Sequence, residues 1–311
     1  MSIGRWHAYD HRLTYRVGEI TLGGVRLPVL RKVHALNEIR RGGGLPELPA
    51  LTPEAAGYLI AGVPQEGVAG EVSRLGAYLR YCTKAYLHCY IDLSGDFAAY
   101  QAKFSGKTRS GISRKVRKFT ESAGGEEVRR YTRPGELDEF FRLARSVSSQ
   151  SYQERLLDAG LPTDERFLAT AKAAAERDEV RAYLLFHRGE PVSYLYCPVV
   201  DNVLLYDYLG YLPGFASLSV GTVLQWLALR SLFDERRFSA FDFTEGESDH
   251  KRLFSTHQTP CSNHLILLPT VRNRVVVHAH RGVDRFSAWA GATLERYDLK
   301  RKVRRFVRRA A

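Results

Sequence analysis

The chain has 311 residues, of which 44% are hydrophobic and 26% charged, and its formal net charge is +12. This composition is that of a globular protein, and at roughly 150 residues per domain the length indicates about two domains. No stretch approaches the ~20 apolar residues that span a bilayer, and the first residues, MSIGRWHAYDHRL, lack the apolar segment of a secretory signal. We therefore expect a cytoplasmic protein whose four cysteines are reduced and bind no metal.

The first 120 residues predict strands and helices in mixed order. Residues 12–34 alternate between apolar and polar side chains around Gly23-Gly24, which predicts a β-hairpin. Thr52, followed by proline and glutamate, has the pattern of a helix N-terminus. Residues 83–93 predict a strand, and residues 97–121 predict a helix that is interrupted at two glycines.

The rest of the chain predicts helices, then a run of strands, and then a loop that leads into a further helix. Three helical patterns come first, at residues 134–148, 151–160 and 163–177. Residues 181–200 predict two strands joined by a turn at Arg188-Gly189, and residues 202–212 predict a third strand. A loop of small residues, a helix and a fourth strand follow, at residues 213–221, 223–236 and 239–246.

The positive charge is concentrated in two runs. Residues 103–118 hold seven bases and no acid, and residues 296–311 hold eight bases and one acid. Such clusters attract the phosphates of a nucleic acid, a lipid headgroup or a cofactor. In the second run, apolar residues recur at helical spacing opposite basic ones, which predicts a basic amphipathic helix. This helix either lies on an anionic membrane surface or packs on its own domain. The basic residues on its polar side are Arg301, Arg304, Arg305 and Arg308.

Four segments carry a resemblance to a known family. They are SGKTRSGISRKVRKF from residue 105, RAYLLFHRGEPVSYLY from residue 181, LLYDYLGYLPGFASLSVGTVLQWLAL from residue 204, and FDFTEGESDHKRLF from residue 241. In order and spacing they resemble the GNAT superfamily of acyltransferases, and more closely its CelD/BcsL-like members, which are related to the FemAB group. The resemblance covers about half of the chain, from Ser105 to Phe254.

This resemblance implies an α+β fold with two GNAT-like halves, in which mixed, mostly antiparallel sheets are flanked by helices. We place a degenerate N-terminal half at residues 1–145, the acyl-CoA domain at residues 146–283, and a C-terminal basic helix at residues 284–311. The resemblance also implies that the protein uses acyl-CoA as a co-substrate, acylates an amine, and holds no permanently bound cofactor.

The loop before residue 223 is the candidate donor site. Small residues that lead into a helix N-terminus present free N–H groups and the positive end of the helix dipole, which suits the pyrophosphate of coenzyme A. The family resemblance places the thioester where the strand at residues 204–210 separates from the strand at residues 241–243. An ordinary strand-to-helix loop is the alternative. The candidate residues are Ser217, Ser219, Val220 and Gly221, with Lys251 as a partner for a phosphate or for a nearby acid.

Acyl transfer to an amine needs one group that deprotonates the amine and one that protonates the leaving thiolate. Asp242 and Glu245, at the end of the fourth strand, are candidates for the base or for a carboxylate that orients the amine. Tyr208 is the candidate proton donor, and His250 is a further candidate base. For each acid the alternative is a structural role, such as capping a helix or pairing with Arg252.

Residues 148–162 are first polar and then amphipathic, and in the resembling family this region lies near the acceptor. Tyr152, Gln153 and Arg155 are therefore candidate substrate-binding residues. The alternative is a helix that only connects the two domains.

The sequence therefore predicts an N-acyltransferase that uses acyl-CoA and acylates an amine of a cell-envelope precursor. The amine belongs either to a lipid, such as a sphingoid base, or to an amino sugar of an exported polysaccharide. We expect the enzyme in the cytoplasm, with a peripheral position on the inner membrane face as a variant of this hypothesis. A FemAB-like transferase that uses aminoacyl-tRNA is one alternative, and a non-catalytic protein that binds nucleic acid or a membrane is the other. Nucleic acid is the less favoured partner, because the sequence has no helix-turn-helix or RNP-like motif.

Overall fold

The computed structural model describes residues 3–18, 20–64, 67–150, 160–162 and 164–296. Tertiary contacts divide the chain into two compact units, one of Met1–Leu87 with Thr259–Ala311 and one of His88–Gln258. The fold combines mostly antiparallel strands with flanking helices, which confirms the predicted fold class. The predicted boundaries of the two GNAT-like halves, at residues 145 and 283, stay a prediction.

The first unit is built on strands that run in the order β1 (His7–Val17), β2 (Ile20–Val33), β3 (Gly57–Pro64), β12 (His257–Leu267) and β5 (Tyr78–Asp92), with β4 (Val72–Leu75) paired to β5. The short helix α1 (Leu36–Arg40) follows β2. The long helix α8 (Val271–Arg296) packs on β1, where the hydroxyl of Tyr15 donates to the carbonyl of Val276 (3.4 Å). Among the described residues, no helix is long and apolar enough to cross a membrane.

The second unit carries the strand order β5, β11 (Ala240–Asp242), β9 (Val203–Leu205), β8 (Glu190–Val200), β7 (Val180–His187) and β6 (Glu127–Tyr131), with β10 (Tyr208–Tyr211) paired to β8. Strands β9 and β11 run parallel, whereas β5–β11, β8–β9 and β7–β8 are antiparallel pairs. The helices of this unit are α2 (Phe97–Ala102), α3 (Gly106–Ala123), α4 (Leu137–Ser148), α5 (Glu165–Glu176), α6 (Val220–Glu235) and α7 (Asp249–Phe254).

Helix α6 lies in the core of the second unit. Its sequence, VGTVLQWLALRSLFDE, is apolar on nearly all sides, which is typical of a buried helix. Trp226 and Phe233 pack against Phe97 of α2, with ring centroids 5.0 and 5.8 Å apart. Because each fully buried large apolar side chain contributes about 1.5–3 kcal/mol, this packing holds α6 in the core.

Two features near the N-terminus differ from their sequence predictions. The hairpin forms, but its turn follows Val17, and Gly23 lies inside β2 opposite Tyr15, where the register shifts. Glycine accommodates the φ of 153° at this bulge. The helix predicted at Thr52 is wrong, because the carbonyl of Thr52 accepts a hydrogen bond from the N–H of Ala55 (3.0 Å) in a turn. A proline after the first residue suits a β-turn as well as a helix start.

The other predicted elements form with changed limits where the structure describes them. The helix predicted at residues 97–121 is broken after Ala102, and the strand predicted at residues 202–212 is divided into β9 and β10. The strand predicted at residues 239–246 ends at Asp242. The helix predicted at residues 151–160 lies outside the described residues. The basic residues of the C-terminal tail also lie outside the described residues: Arg301, Arg304, Arg305 and Arg308. Their contact with a membrane stays a prediction.

The buried His264 leads to a prediction about stability. Arg80 donates through Nε to Nδ1 of the ring (3.2 Å), and the Oγ of Ser262 lies 2.8 Å from its Nε2. Burial, together with the charge of Arg80, lowers the pKa of His264 to about 4. In the unfolded chain this ring binds a proton near its ordinary pKa of about 6.5. Acidification between these two values therefore favours the unfolded state.

We expect the melting temperature of the His264→Gln variant to fall less than that of the wild type as the pH is lowered through this range. Glutamine keeps hydrogen-bonding groups near Arg80 but does not titrate. The His278→Gln variant, in which an exposed histidine is changed, is the control and should retain the wild-type slope. Equal slopes for the wild type and His264→Gln would contradict the assignment.

Candidate functional site

Strands β9 and β11 separate at one point in the second unit. Leu205 lies opposite Asp242 in the parallel pair, and the N–H of Tyr206 donates to the carbonyl of Asp242 (2.8 Å). The chain then leaves the strand for two residues and resumes as β10, which pairs with β8 alone in the described part of the chain. One edge of β10 therefore has no strand partner among the described residues, and an extended ligand could hydrogen-bond to it. This break in pairing is the gap between β10 and β11.

The end of β11 is shaped by the carboxylate of Asp242. Its Oδ1 accepts a hydrogen bond from the N–H of Thr244 (2.7 Å), and Thr244 has a φ of 59°. A β-branched residue is rarely found in this left-handed region, where it costs about 1–3 kcal/mol. The bond to Asp242 holds Thr244 in this conformation, and the chain turns out of the β11 strand at this residue.

A histidine holds the same carboxylate from a neighbouring strand. Nε2 of His88 lies 2.7 Å from Oδ1 of Asp242, and both side chains are buried. His88 is on β5, whose residue Tyr90 lies opposite Asp242 in the antiparallel pair with β11. The sequence contains no local signal for this contact, because the two residues are 154 positions apart. Only strand pairing brings them together.

Glu245 and Lys251, both predicted site residues, follow β11 in the chain. Glu245 is exposed, and its carbonyl oxygen accepts a hydrogen bond from Nζ of Lys251 (2.9 Å). The same ammonium group donates to the carbonyl of Phe243 (2.7 Å). Lys251 therefore stabilises the main chain just beyond β11, a role that the sequence does not indicate.

The predicted donor-site residues lie at the start of α6. A 3-10 turn, Pro213–Leu218, leads to Ser219, which has a φ of 54° and a side chain that makes no capping hydrogen bond. The first N–H groups of an α-helix have no partner within the helix. The side chain of Val220 is fully buried, so this residue anchors the helix start and can offer a ligand only its main chain.

Two contacts define the surroundings of this helix start. A Cβ added at Gly221 would lie 3.3 Å from side-chain atoms of Leu209 and Tyr211, so glycine allows α6 to approach β10 closely. Lys118 on α3 donates through Nζ to the carbonyl of Ser217 (3.2 Å). A cation and the helix dipole therefore both attract anions to this loop. Lys118 belongs to the basic run of the sequence, but only the fold places it here.

Asp207 and Tyr208 occupy the point where β9 ends and β10 begins. Burial raises the pKa of the Asp207 carboxyl group. Burial, together with the charge of Asp207, raises the pKa of Tyr208 to about 12. A carboxylate with a raised pKa is a better proton acceptor near neutral pH, and a tyrosine with a raised pKa remains a proton donor. Tyr208 is a predicted site residue, whereas Asp207 is not, because strand alternation does not reveal its burial.

Aromatic rings surround Tyr208. Its ring centroid lies 5.9 Å from that of Phe167 on α5 and 6.4 Å from that of Tyr196 on β8. These rings pack Tyr208 against the hydrophobic core of the second unit. The predicted acceptor residues lie outside the described residues and stay a prediction: Tyr152, Gln153 and Arg155.

His250, the further candidate base, contacts α6. Its Nε2 lies 2.7 Å from Oε1 of the buried Gln225, and its ring lies 4.7 Å from that of Phe254. Burial lowers the pKa of His250, so the ring is neutral near neutral pH and connects α7 to α6. In the part of the chain that the structure describes, no group of three His, Cys, Asp or Glu side chains is arranged to hold a metal ion.

Residues 106–252 match the family model described as the Acetyltransferase (GNAT) domain. This match confirms the resemblance to the GNAT superfamily for a little under half of the chain. It does not distinguish the CelD/BcsL-like members within that superfamily. No curated protein matches the sequence.

Several solved structures are similar to the chain at low identity. FemX is 11% identical over 84% of this chain and 88% of its own, with a TM-score of 0.47. The L-PGS structure from Bacillus licheniformis is 13% identical over 72% of each chain, with a TM-score of 0.44. The C-terminal domain of a putative lysylphosphatidylglycerol synthetase from Agrobacterium fabrum is 10% identical, with a TM-score of 0.44. That comparison covers 63% of this chain and 65% of the Agrobacterium chain.

Gly210 leads to a prediction about the strand beside the gap. A Cβ at this position would lie 2.4 Å from Cε1 of the buried Tyr194. Because this ring cannot move without repacking the core, we expect Gly210→Ala to lower the free energy of unfolding by about 1–3 kcal/mol. The control is Gly214→Ala, where an added Cβ has no neighbour within 4 Å. Urea unfolding measures both, and equal stabilities for the two variants would contradict the close approach.

Proposed function

We propose that the protein is an N-acyltransferase that moves an acyl group from acyl-CoA to an amine. One observation carries the proposal: the gap between β10 and β11 lies within the region that matches the GNAT domain, and Asp207 and Tyr208 occupy its start. The direct reaction needs no covalent intermediate on the enzyme. It needs the donor and the acceptor amine held in attack geometry, with groups that accept and donate one proton each.

The donor would bind along the start of α6 and the open edge of β10. The main-chain N–H groups of Val220 and Gly221, together with the Lys118 ammonium, would hold the pyrophosphate, since a helix N-terminus and a cation both stabilise an anion. Ser217 and Ser219 lie in the same loop and are proposed to line the donor site. Lys251 supports the site indirectly, because its ammonium already bonds the carbonyls that follow β11. The amides of the pantetheine arm would pair with β10 as a further strand does.

The chemistry assigns one role to each group at the gap. The amine nitrogen attacks the thioester carbon, the carbon–sulfur bond breaks, and an amide and a free thiol form. Asp207 takes the proton from the amine, and Tyr208 gives its proton to the leaving thiolate. Asp242 positions the end of β11, because its Oδ1 is bound by His88 and Thr244. Glu245 is the alternative base.

The acceptor would be an amine of a cell-envelope precursor, either a lipid amine or an amino sugar. The aromatic rings of Phe167 and Tyr196, which pack against Tyr208, support an acceptor with an apolar part next to its amine. The predicted residues Tyr152, Gln153 and Arg155 are proposed to contact the rest of the acceptor. We further propose that the protein belongs to the CelD/BcsL-like members of the GNAT superfamily, which its four sequence segments resemble.

An aminoacyl-tRNA-dependent transferase of the FemAB type is the second candidate function. One observation favours it: the basic side chains of α3 are exposed, and the one acid of that helix, Glu121, lies near Arg117 (3.8 Å). An exposed row of cations is what a polyanion such as tRNA binds. These basic residues are Lys107, Arg109, Arg114, Lys115, Arg117 and Lys118.

The donor proposal predicts that acyl-CoA raises the melting temperature, because a ligand that binds only the folded state stabilises it by about 2.7 kcal/mol at 100 times its Kd. The variants Lys118→Gln and Gly221→Val should reduce the shift, since one removes a cation and the other blocks the approach to the main chain. Lys172→Gln, on α5, is the control. Two results together would contradict the acyl-CoA function: an unchanged melting temperature with saturating acetyl-CoA or palmitoyl-CoA, and aminoacyl transfer from a charged tRNA. They would support the aminoacyl-tRNA-dependent function instead.

The catalytic proposal predicts that Asp207→Asn and Tyr208→Phe each lower kcat by about 10²–10⁴-fold while keeping the thermal shift with acyl-CoA. Because the base must be ionised, kcat of the wild type should fall as the pH drops through the raised pKa of Asp207. Thiol release with a panel of amines measures both effects. The control is Asp138→Asn, which changes an exposed carboxylate. Full activity in Asp207→Asn with loss of activity in Glu245→Gln would move the base role to Glu245.

A further inference from the structure

We infer that α8 and the tip of the β1–β2 hairpin form a surface that docks on an anionic lipid bilayer. This inference does not rest on the proposed acyl transfer. Four large apolar side chains in the first unit are unusually exposed, and a soluble surface rarely keeps so many together unless they bind something. Their exposed fractions are 53% for Ile20, 62% for Leu22, 55% for Phe286 and 64% for Trp289.

A hydrogen bond brings the hairpin tip to the helix. The N–H of Gly18, directly after β1, donates to Oγ of Ser287 on α8 (3.0 Å). Ile20 and Leu22 begin β2 just after this turn. On the helix, the rings of Phe286 and Trp289 lie on either side of Ser287 in sequence, with centroids 5.8 Å apart. The four apolar side chains therefore lie at the same end of α8.

The exposed face of α8 extends from Phe286 and Trp289 along the helix. Val271 and Val275 are 81% and 62% exposed, and their spacing from Phe286 and Trp289 places all four on one side of an α-helix. The opposite side is packed on the first unit, where Nδ1 of His280 lies 2.8 Å from the hydroxyl of Tyr81. The helix is thus anchored by one face and presents an apolar stripe on the other.

Positive charge borders the stripe and argues for a lipid occupant. The bases of the helix between residues 271 and 293 are Arg272, Arg274, Arg281 and Arg285. The one acid in that range, Asp284, is bound to His280 (3.1 Å), so it faces the anchored side. No carboxylate of the described residues forms an ion pair with Arg272, Arg274 or Arg285. The sequence that follows, residues 297–311, adds seven bases and one acid.

This arrangement matches the requirements of a bilayer interface. Tryptophan and phenylalanine enter the boundary between headgroups and acyl chains. Arginine side chains next to them reach anionic headgroups, and each contributes on the order of a fivefold gain in binding. A protein partner would more commonly offer carboxylates at fixed positions, whereas a row of arginines along an apolar stripe suits a fluid anionic surface.

The test is sedimentation of the full chain with vesicles. We expect binding to vesicles that contain phosphatidylglycerol and little binding to vesicles of phosphatidylcholine alone. The double variant Phe286→Ser/Trp289→Ser should lower the partition coefficient about thirtyfold, and Arg274→Gln/Arg285→Gln should lower it roughly tenfold or more. Circular dichroism and melting curves check that each variant folds as the wild type does.

Two control variants test whether binding depends on this surface or on any exposed apolar or basic side chain. Val68→Ser removes a side chain that is 74% exposed but is not on α8, and it should leave binding unchanged. Arg142→Gln/Arg166→Gln removes two exposed arginines of the second unit and should have a much smaller effect than Arg274→Gln/Arg285→Gln.

A fluorescence measurement locates the contact. In a Trp6→Phe background, lipids brominated on the acyl chains should quench Trp289, and the further change Trp289→Phe should abolish the quenching, because Trp226 is buried in the core. Vesicle binding that persists in the Phe286→Ser/Trp289→Ser variant would overturn the inference in favour of the C-terminal tail. The inference would also be overturned if the wild type does not bind vesicles but forms a dimer, and the same variant is a monomer. The surface would then bind a second copy of the chain.

Discussion

The carboxylate of Asp242 fixes the point at which strands β9 and β11 separate. Its Oδ1 accepts hydrogen bonds from the main chain of Thr244 and from His88, so the last residue of β11 is fixed by its own loop and by the adjacent strand. The main-chain carbonyl of the same residue makes the final bond to the neighbouring chain, at Tyr206. Beyond this point the strands separate. A buried carboxylate without these partners would destabilise the fold strongly.

Helix α6 gives the other side of the site its rigidity. Because it is apolar on nearly every side and buried among aromatic rings, its start cannot move without disturbing the core. The close approach at Gly221 and the bond from Lys118 to the loop place main-chain N–H groups and a positive charge at a defined position. A site built on packed elements of this kind holds reacting groups more accurately than a loop does.

Burial also changes the proton affinities of two side chains at the gap. Asp207 and Tyr208 both have raised pKa values because they are partly buried. The shift makes the Asp207 carboxylate a stronger base and keeps the Tyr208 hydroxyl protonated near neutral pH. The described residues also form two positively charged surfaces, one on α3 and one on α8. Lys118 of the basic helix α3 bonds the loop in which phosphates are proposed to bind, whereas the arginines of α8 border an apolar stripe.

The sequence by itself determined what depends on local pattern. It indicated the β7–β8 hairpin, the loop that leads into α6 and the basic runs, since alternation, turn residues and charge can be read from neighbouring positions. The resemblance to the GNAT superfamily implied the α+β class, and the roles of Tyr208, Asp242 and Gly221 stay predictions. Tertiary structure decided the rest. His88 meets Asp242 only through strand pairing, Lys118 meets the α6 loop only through helix packing, and the burial of Asp207 depends on residues far away in the chain. The exposure of Phe286 and Trp289 is of the same kind, because a helical pattern shows that a residue is apolar, whereas its contacts in the folded chain decide whether it is covered.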